Sequence, residues 1–283
     1  MPPTTTTRKL VIFTDLDGTL LDRKTYSFQP ALPALDLIKQ KDVPLVLSSS
    51  KTRTEIELYQ KQLENDHPFV SENGGAIFIP KDYFSFPFHY DRASGKYFIL
   101  ELGAPYSVVI EVLDSIGKET GILIKGFSDF TERELSSFCG LGEREATFAK
   151  KREYDEPFMI EGGEKEFEIV QRKIKEKGMN YAWGGKFHHI FGKNDKGKAV
   201  EILKELFEKQ FFSIFTVGIG DSLNDLPMLL VVDYPILLKE KGDLLPQTFS
   251  PNQNVQIMNG GGPEVWNEVI LNVVKELEFS IRG

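Results

Sequence analysis

The chain has 283 residues, more than a usual single domain, so one large or two moderate domains are expected. Its 41% hydrophobic and 27% charged residues are ordinary for a soluble globular protein, and the net charge of −8 argues against general nucleic-acid binding, which normally uses a basic face. The single cysteine, Cys139, excludes an internal disulfide and fits a reducing compartment. No apolar run approaches the roughly 18 residues that cross a bilayer, and the first residues lack the apolar segment of a secretion signal. The composition therefore favours a cytoplasmic protein with neither a nucleic-acid nor a membrane partner.

The first 87 residues alternate between buried-strand patterns and amphipathic-helix patterns. Strand patterns cover residues 10–13, 43–47, 69–70 and 76–79, and helix patterns cover residues 30–41 and 53–64. The resulting β-α-β-α-β order predicts an α/β fold built on a doubly wound parallel sheet, with residues 1–87 as the first part of its core.

Residues 88–192 have a different character, because their predicted strands are shorter and less apolar. Strands are expected at 97–101, 122–124 and 157–161 and twice within 180–191, and helices at 105–120, 131–138, 143–151 and 164–177. This stretch predicts an α+β cap inserted into the core. The core resumes at 193–283, with helices at 195–209 and 264–278 and strands at 213–218 and 235–238.

Two carboxylates stand directly after the first buried strand, in the string VIFTDLDGTL. Open α/β sheets bind ligands outside the carboxyl ends of their strands, and residues two apart at a strand end point the same way, so Asp15 and Asp17 can face one ion. Gly18 permits a sharp turn there. Hard oxygen ligands suit Mg²⁺, and a carboxylate beside that ion can attack phosphorus. A solvated turn would contain the same two residues, so the pair alone does not decide between these interpretations.

Polar groups at later strand ends complete a set that fits phosphoryl transfer, which needs positioning and neutralisation of negative charge. Ser49 and Ser50 follow the second strand, Lys196 opens a helix, and Asp221 and Asp225 follow the strand at 213–218. Each element alone is a common helix cap, solvated residue or loop, but their joint order after successive strands argues for a site. A serine hydroxyl and Lys196 can hold phosphoryl oxygens, and the residues leave open whether Ser49 or Ser50 does so.

The strings DLDGT, SSSKT, DKGKAV and GDSLNDLPML resemble the four motifs of the haloacid-dehalogenase-like superfamily, in the same order. The resemblance implies a phosphatase in which Asp15 is the nucleophile and Asp17 the acid and base, with Ser49 and Lys196 also catalytic. It implies Mg²⁺ as the cofactor, held by Asp15, Asp17, Asp221 and Asp225. The cap lies between the second and third motifs, as in the branch that includes Cof-type and sucrose-phosphate phosphatases.

A narrower resemblance is to the family of mannosyl-3-phosphoglycerate phosphatases, carried by SSSKT, ENGGAIF, REYDEPF and GGKFHHIFG. SSSKT stands in place of the Thr-Gly-Arg of Cof-type members. The resemblance implies that a small phosphorylated glycoside is hydrolysed to mannosylglycerate, with a glucosyl substrate also accepted. The alternatives are another sugar-phosphate phosphatase of the same fold and a phosphosugar-binding protein without turnover.

Such a substrate carries a carboxylate, sugar hydroxyls and a phosphate, so its pocket needs cations and hydrogen-bonding groups. Arg152 can grip an anion with two parallel hydrogen bonds, and Glu72 and Asn73 can bind sugar hydroxyls. Adjacent strand residues point to opposite faces, which argues against a metal site at His188 and His189 and leaves one of them facing the pocket. The candidate substrate-binding residues are Ser50, Lys51, Glu72, Asn73, Arg152, Lys186, His189 and Asn224. The oligomeric state is not predicted.

Overall fold

The structure, a computed structural model, describes residues 8–183, 187–240 and 254–282, with side chains through residue 276. The strands are β1 (Lys9–Thr14), β2 (Leu45–Ser48), β3 (Phe69–Ser71), β4 (Ala76–Pro80), β5 (Arg92–Ser94), β6 (Tyr97–Glu101), β7 (Ile124–Gly126), β8 (Asp155–Ile160), β9 (Asn180–Trp183), β10 (His188–Phe191), β11 (Ile214–Gly220), β12 (Tyr234–Lys239) and β13 (Gln256–Asn259). The helices are α1 (Leu32–Gln40), α2 (Arg53–Leu63), α3 (Tyr106–Thr120), α4 (Glu132–Cys139), α5 (Glu143–Ala149), α6 (Glu164–Glu176), α7 (Lys196–Phe211), α8 (Leu226–Leu229) and α9 (Gly262–Arg282).

The chain divides into two compact units. The first unit comprises Met1–Ser48, Asp82–Phe88 and Val200–Gly283, and the second comprises Ser49–Lys81 and His89–Ala199. The predicted cap thus lies in the second unit from residue 89 onward, together with residues 49–81 and 193–199. The boundaries of the cap at residues 88 and 192 stay a prediction.

The first unit contains a parallel sheet in the order β13-β12-β11-β1-β2. Strand β1 is buried from Leu10 onward, as its apolar sequence predicts. On β1, the Phe13 ring packs edge-on against Phe207 of α7, with 6.5 Å between ring centroids. The next residue, Thr14, accepts a hydrogen bond at 3.0 Å from the indole N–H of Trp266 on α9. Because neighbouring strand residues point to opposite faces, α7 and α9 cover opposite faces of the sheet, which confirms the doubly wound fold.

The second unit is built on antiparallel strands. One run has the order β3-β4-β6-β5, and a separate four-stranded sheet has the order β7-β8-β10-β9. Phe158 of β8 and Ile190 of β10 form one apolar cluster with Val109 of α3 and Val170 of α6, so these two helices pack on one face of the four-stranded sheet. Short antiparallel strands packed against helices confirm the predicted α+β character of this part of the chain.

The predicted helices and strands are present, and the differences lie mainly at the boundaries. Strand β7 begins two residues later than predicted and β8 two residues earlier, while α7 continues to Phe211. The sequence did not predict β5, β13 or the short α8. Across the three described ranges, no helix has both the length and the apolar character that crossing a membrane requires.

Candidate active site

Asp15 stands at the end of β1, where the backbone fixes its position. Its N–H donates to the carbonyl of Ile219 on β11 at 2.9 Å. The loop then turns back at once, since the Gly18 N–H donates to the Leu21 carbonyl and the Leu21 N–H to the Leu16 carbonyl, each at 2.8 Å. This turn holds Asp15 and the half-buried Asp17 in a short, hydrogen-bonded loop.

Gly18 is required in this turn on two grounds. Its φ of +79° lies in the left-handed region, which side-chain-bearing residues rarely adopt. A Cβ at this position would also lie 2.3 Å from Oδ2 of Asp221 and 2.5 Å from Nε of Arg23. A side chain at residue 18 would therefore push the Asp221 and Arg23 side chains out of their present positions.

Three carboxylates converge in the first unit. Asp15, Asp221 and Asp225 each offer an oxygen, and these oxygens all lie within 4.8 Å of one another. Asp225 is fully buried, and its Oδ2 accepts the backbone N–H groups of Asp221 and Ser222 at 3.0 Å each. Three negative charges this close repel one another strongly, so the group favours a divalent cation with hard oxygen ligands. We call Asp15, Asp221 and Asp225 the acidic cluster.

Two other residues stand on the loops of the acidic cluster. Arg23 places Nη2 2.5 Å and Nε 3.2 Å from Oδ2 of Asp221, and 41% of its side chain is exposed. Asn224, predicted to bind substrate, accepts a hydrogen bond from the Ser222 hydroxyl. The sequence did not single out Arg23, because only the turn at Gly18 brings it to Asp221.

In the second unit, the segment Ser49–Lys51 forms a loop that is held through its main chain. The Ser49 N–H donates to Val70 at 3.1 Å, and the Ser49 carbonyl accepts the Asn73 N–H at 3.1 Å. The Ser49 hydroxyl accepts the Lys51 N–H at 3.2 Å, and Nζ of Lys51 lies 3.7 Å from Glu55. The carbonyl of Lys51 accepts the Glu72 N–H at 3.0 Å.

Glu72 is engaged by backbone donors. Its carboxylate accepts the N–H groups of Glu153 at 3.0 Å, Tyr154 at 2.8 Å and Asp155 at 2.9 Å. Burial raises the pKa of Glu72 to about 8; the Arg152 charge opposes this rise and the Asp155 charge adds to it. The residue predicted to bind a sugar hydroxyl thus ties the turn at 72–74 to the segment 153–155.

Four further buried side chains meet beside Glu72. Asp155, which is fully buried, lies 3.1 Å from Nη1 of Arg152, and its carboxylate accepts the Asn73 amide N–H at 2.6 Å. Nδ1 of His189 lies 3.0 Å from both Asp155 oxygens, and since a carboxylate only accepts, Nδ1 carries the proton. Burial alone would raise the pKa of Asp155, but the charges of His189 and Arg152 outweigh it and hold that pKa below its usual range. We call Glu72, Asn73, Arg152, Asp155 and His189 the buried polar cluster.

Lys196 opens helix α7 and is only 1% exposed. A Cβ on Gly74 would lie 2.1 Å from the Asp195 carbonyl oxygen, so the turn at 72–74 packs directly against the start of this helix. The amide of Asn194 donates to the Asn73 carbonyl at 3.1 Å and fixes the same contact.

The two histidines of β10 lie on opposite faces of its sheet. His188 stacks on Phe167 with 4.4 Å between centroids, and its Nδ1 lies 2.9 Å from the Tyr181 hydroxyl. Burial, together with the neighbouring His189 charge, lowers the pKa of His188. Lys186, predicted to bind substrate, falls outside the residues that the structure describes.

The structure thus groups the predicted site residues unit by unit. Asp15, Asp221 and Asp225 come together in the first unit, while Glu72, Asn73, Arg152 and His189 come together in the second. The predictions missed Asp155, the partner that the second group shares. Its signal was present in the string REYDEPF, but nothing local distinguishes this carboxylate from its neighbours Glu153 and Glu156.

Comparison with known proteins agrees with these motifs. The glucosyl-3-phosphoglycerate/mannosyl-3-phosphoglycerate phosphatase of Methanococcoides burtonii is 47% identical over 94% of this chain and 97% of its own, and that of Persephonella marina is 40% identical over 95% and 98%. The solved structure of BT1666 from Bacteroides thetaiotaomicron agrees in fold, with a TM-score of 0.63 at 15% identity over 98% of both chains. The family model of the haloacid dehalogenase-like hydrolases matches residues 12–247. These matches confirm the resemblance inferred from the sequence: the chain belongs to the haloacid dehalogenase-like hydrolase family.

Proposed function

We propose that the chain is a Mg²⁺-dependent phosphatase that hydrolyses mannosyl-3-phosphoglycerate and glucosyl-3-phosphoglycerate to the glycosylglycerate and phosphate. The observation that carries the proposal is the 47% identity, over nearly the whole of both chains, to a protein named for both substrates. The relative from Persephonella marina bears the same name. A mannosyl and a glucosyl group differ at one hydroxyl, so a single pocket can accept both.

The acidic cluster supports Mg²⁺ as the cofactor. Its three carboxylates offer the hard oxygen donors that this ion prefers, and their oxygens lie close enough to share one cation. Asp15, Asp221 and Asp225 would hold the ion, with Asp17 as a fourth predicted ligand. Bound there, Mg²⁺ would neutralise negative charge on the phosphoryl group.

Asp15 and Asp17 carry out the chemical steps in this proposal. The Asp15 carboxylate attacks phosphorus and forms an aspartyl-phosphate, while Asp17 gives its proton to the departing glycerate oxygen. Asp17 then takes a proton from water, which attacks the aspartyl-phosphate and releases inorganic phosphate. The tight turn around Gly18 supports this division of roles because it holds both carboxylates on one short loop.

The remaining predicted roles concern binding. Ser49 and Lys196 would bind phosphoryl oxygens, and residues 88–192 would form the cap that determines substrate specificity. Ser50, Lys51, Lys186 and Asn224 would add contacts to the substrate. Direct substrate contacts from Glu72, Asn73, Arg152 and His189 stay predictions. The hydrogen bonds of Asn73 and Arg152 also hold the Ser49–Lys51 loop, so these residues could affect substrate binding through that loop.

Phosphate release in the presence of Mg²⁺ tests the proposal. The panel contains mannosyl-3-phosphoglycerate, glucosyl-3-phosphoglycerate, sucrose 6-phosphate and mannose 6-phosphate. We expect strong preference for the two glycosyl-phosphoglycerates. A preference for the plain sugar phosphates would keep the chemistry and refute the substrate, and no release from any of the four, with Mg²⁺ bound, would favour a phosphosugar-binding protein without turnover.

A further inference from the structure

We propose that Asp155 is a positioning residue for phosphate binding. Its buried carboxylate holds Arg152 and Asn73, and these two residues hold the main chain of the Ser49–Lys51 loop. The inference rests on one part of the proposed function, namely that Ser49 and Lys196 bind phosphoryl oxygens.

The first connection runs through Arg152. Its Nη1 lies 3.1 Å from Oδ1 of Asp155 and donates to the carbonyl of Ser50 at 2.7 Å. Its Nε donates to the carbonyl of Ala149 at 3.0 Å. Because a guanidinium is planar and rigid, these contacts fix its orientation, and the Ser50 carbonyl is fixed with it. Only 5% of the Arg152 side chain is exposed, so without Asp155 its charge would be buried without this counter-charge.

The second connection runs through Asn73. The side-chain amide of this residue donates to Oδ2 of Asp155 at 2.6 Å, and its backbone N–H donates to the carbonyl of Ser49 at 3.1 Å. Its own carbonyl accepts the amide of Asn194, and the next residue, Gly74, packs on the peptide that precedes Lys196. One residue therefore joins Asp155 to both predicted phosphoryl-binding groups, Ser49 and Lys196.

The position specifically needs a carboxylate. Arg152, Asn73 and His189 all approach Asp155 with N–H groups, so both of its oxygens must accept. An asparagine has the same shape but would turn an NH₂ group towards at least one of these donors and would remove the negative charge that faces Arg152. Asp155→Asn therefore breaks the arrangement with almost no change in volume.

The next residue on β8 provides a matched control. Glu156 is also fully buried, and its carboxylate accepts hydrogen bonds from the Tyr106 hydroxyl at 2.8 Å and from Ser128 at 2.8 and 2.9 Å. As an adjacent strand residue it faces away from Asp155. Glu156→Gln thus disturbs an equally buried carboxylate on the same strand without touching the Ser49–Lys51 loop.

The test measures the dissociation constant of inorganic phosphate by calorimetry with Mg²⁺ present, alongside KM and kcat for mannosyl-3-phosphoglycerate and thermal unfolding. We expect Asp155→Asn to weaken phosphate binding by about tenfold to a hundredfold and to raise KM, because displaced binding groups lose affinity steeply. Glu156→Gln should change phosphate binding by less than about twofold, even where it lowers the melting temperature as much.

A second variant covers the case in which Asp155→Asn does not fold. Asn73 has φ +57° and ψ 37°, a left-handed conformation that glycine adopts without strain. Asn73→Gly therefore keeps the turn and its backbone bond to Ser49 but removes the amide that reaches Asp155. We expect a weakening of about threefold to tenfold, and the double variant should lose less than the product of the two single effects, because both act through one contact.

Phosphate affinity in Asp155→Asn and Asn73→Gly equal to that of Glu156→Gln would overturn the inference, as would a wild-type protein that binds no inorganic phosphate. A failure of the proposed function would give a different result from a failure of this inference. If the wild-type protein releases no phosphate from the glycosyl-phosphoglycerates, yet binds inorganic phosphate in an Asp155-dependent way, the substrate assignment fails and the inference stands.

Discussion

The acidic cluster and the buried polar cluster both collect charged side chains, but they differ in the sign of those charges. Asp15, Asp221 and Asp225 bring like charges within 4.8 Å of one another, an arrangement that calls for a cation. Arg152 and Asp155, in contrast, bring opposite charges together within 3.1 Å, and Glu72 is satisfied by backbone N–H groups. The difference teaches that a convergence of like charges predicts an ion site, whereas a convergence of opposite charges predicts a structural support.

The largest effect is expected at Asp15. Asp15→Asn removes the proposed nucleophile and should lower the rate of phosphate release by roughly 10⁴-fold or more, because little remains when the attacking group is lost. The fold should be retained, as circular dichroism and thermal unfolding can verify. Turnover within about tenfold of wild type would remove Asp15 from the role of nucleophile.

A smaller effect is expected from Gly18→Ala. The new Cβ would collide with Asp221 and Arg23, so the acidic cluster should spread and Mg²⁺ should bind about tenfold more weakly by calorimetry.

Gly121→Ala is the control for the backbone. Gly121 also has a positive φ, of +68°, but nothing lies within 4 Å of an added Cβ. Both variants should lose stability by about 1–2 kcal/mol from the left-handed conformation, and only Gly18→Ala should lose Mg²⁺ affinity. Equal Mg²⁺ affinities would show that close approach at Gly18 is unimportant for the cluster.

The smallest effect is a pH dependence of stability from Glu72. Its pKa is raised to about 8 in the folded protein, so the folded state binds this proton more tightly than the unfolded state. The contribution of Glu72 to the free energy of unfolding is therefore complete below about pH 4.5 and declines as the pH rises towards 8. Glutamine does not titrate, so the stability of wild type relative to Glu72→Gln should fall across this range in urea unfolding.

Asp233→Asn is the control for the Glu72 measurement. Hydrogen bonds from Thr216 overcome the effect of burial and lower the pKa of Asp233, so its contribution should be constant between pH 5 and 9 and be lost only in acid. A Glu72→Gln difference that stays constant, or that rises with pH, would contradict the raised pKa.

The sequence predicts the acidic cluster well because its information is local. A buried strand, a turn glycine and a carboxylate follow one another within a few residues, and parallel strands bring their ends to one edge of the sheet. The buried polar cluster depends instead on contacts between distant residues, such as Asn73 with Asp155, which no local periodicity encodes. Glu72 and Arg152 have side chains that suit a ligand site, and only their partners show that they also support the fold.

The strands that the sequence did not predict are short, and their residues are partly exposed. β5 and β13 each end a run of paired strands, and none of their residues is fully buried. A strand without a buried face shows neither an apolar run nor an alternation, so its pairing follows from the neighbouring strand and not from its own composition.

The long sequence separation of the contacts around Ser50 and Asn73 also limits how early these parts of the chain can fold during synthesis. The Ser50 carbonyl receives its hydrogen bond from a residue 102 positions later, and that of Asn73 from one 121 positions later. Because synthesis proceeds from the N-terminus, a nascent chain cannot complete the hydrogen bonds of the Ser49–Lys51 loop before residue 152 has left the exit tunnel. The backbone N–H of Asp15 can pair only after β11, the strand that carries Ile219, has been synthesised. Asp15 is thus synthesised early and positioned late, so a chain that ends before β11 lacks both this backbone contact and the other two residues of the acidic cluster.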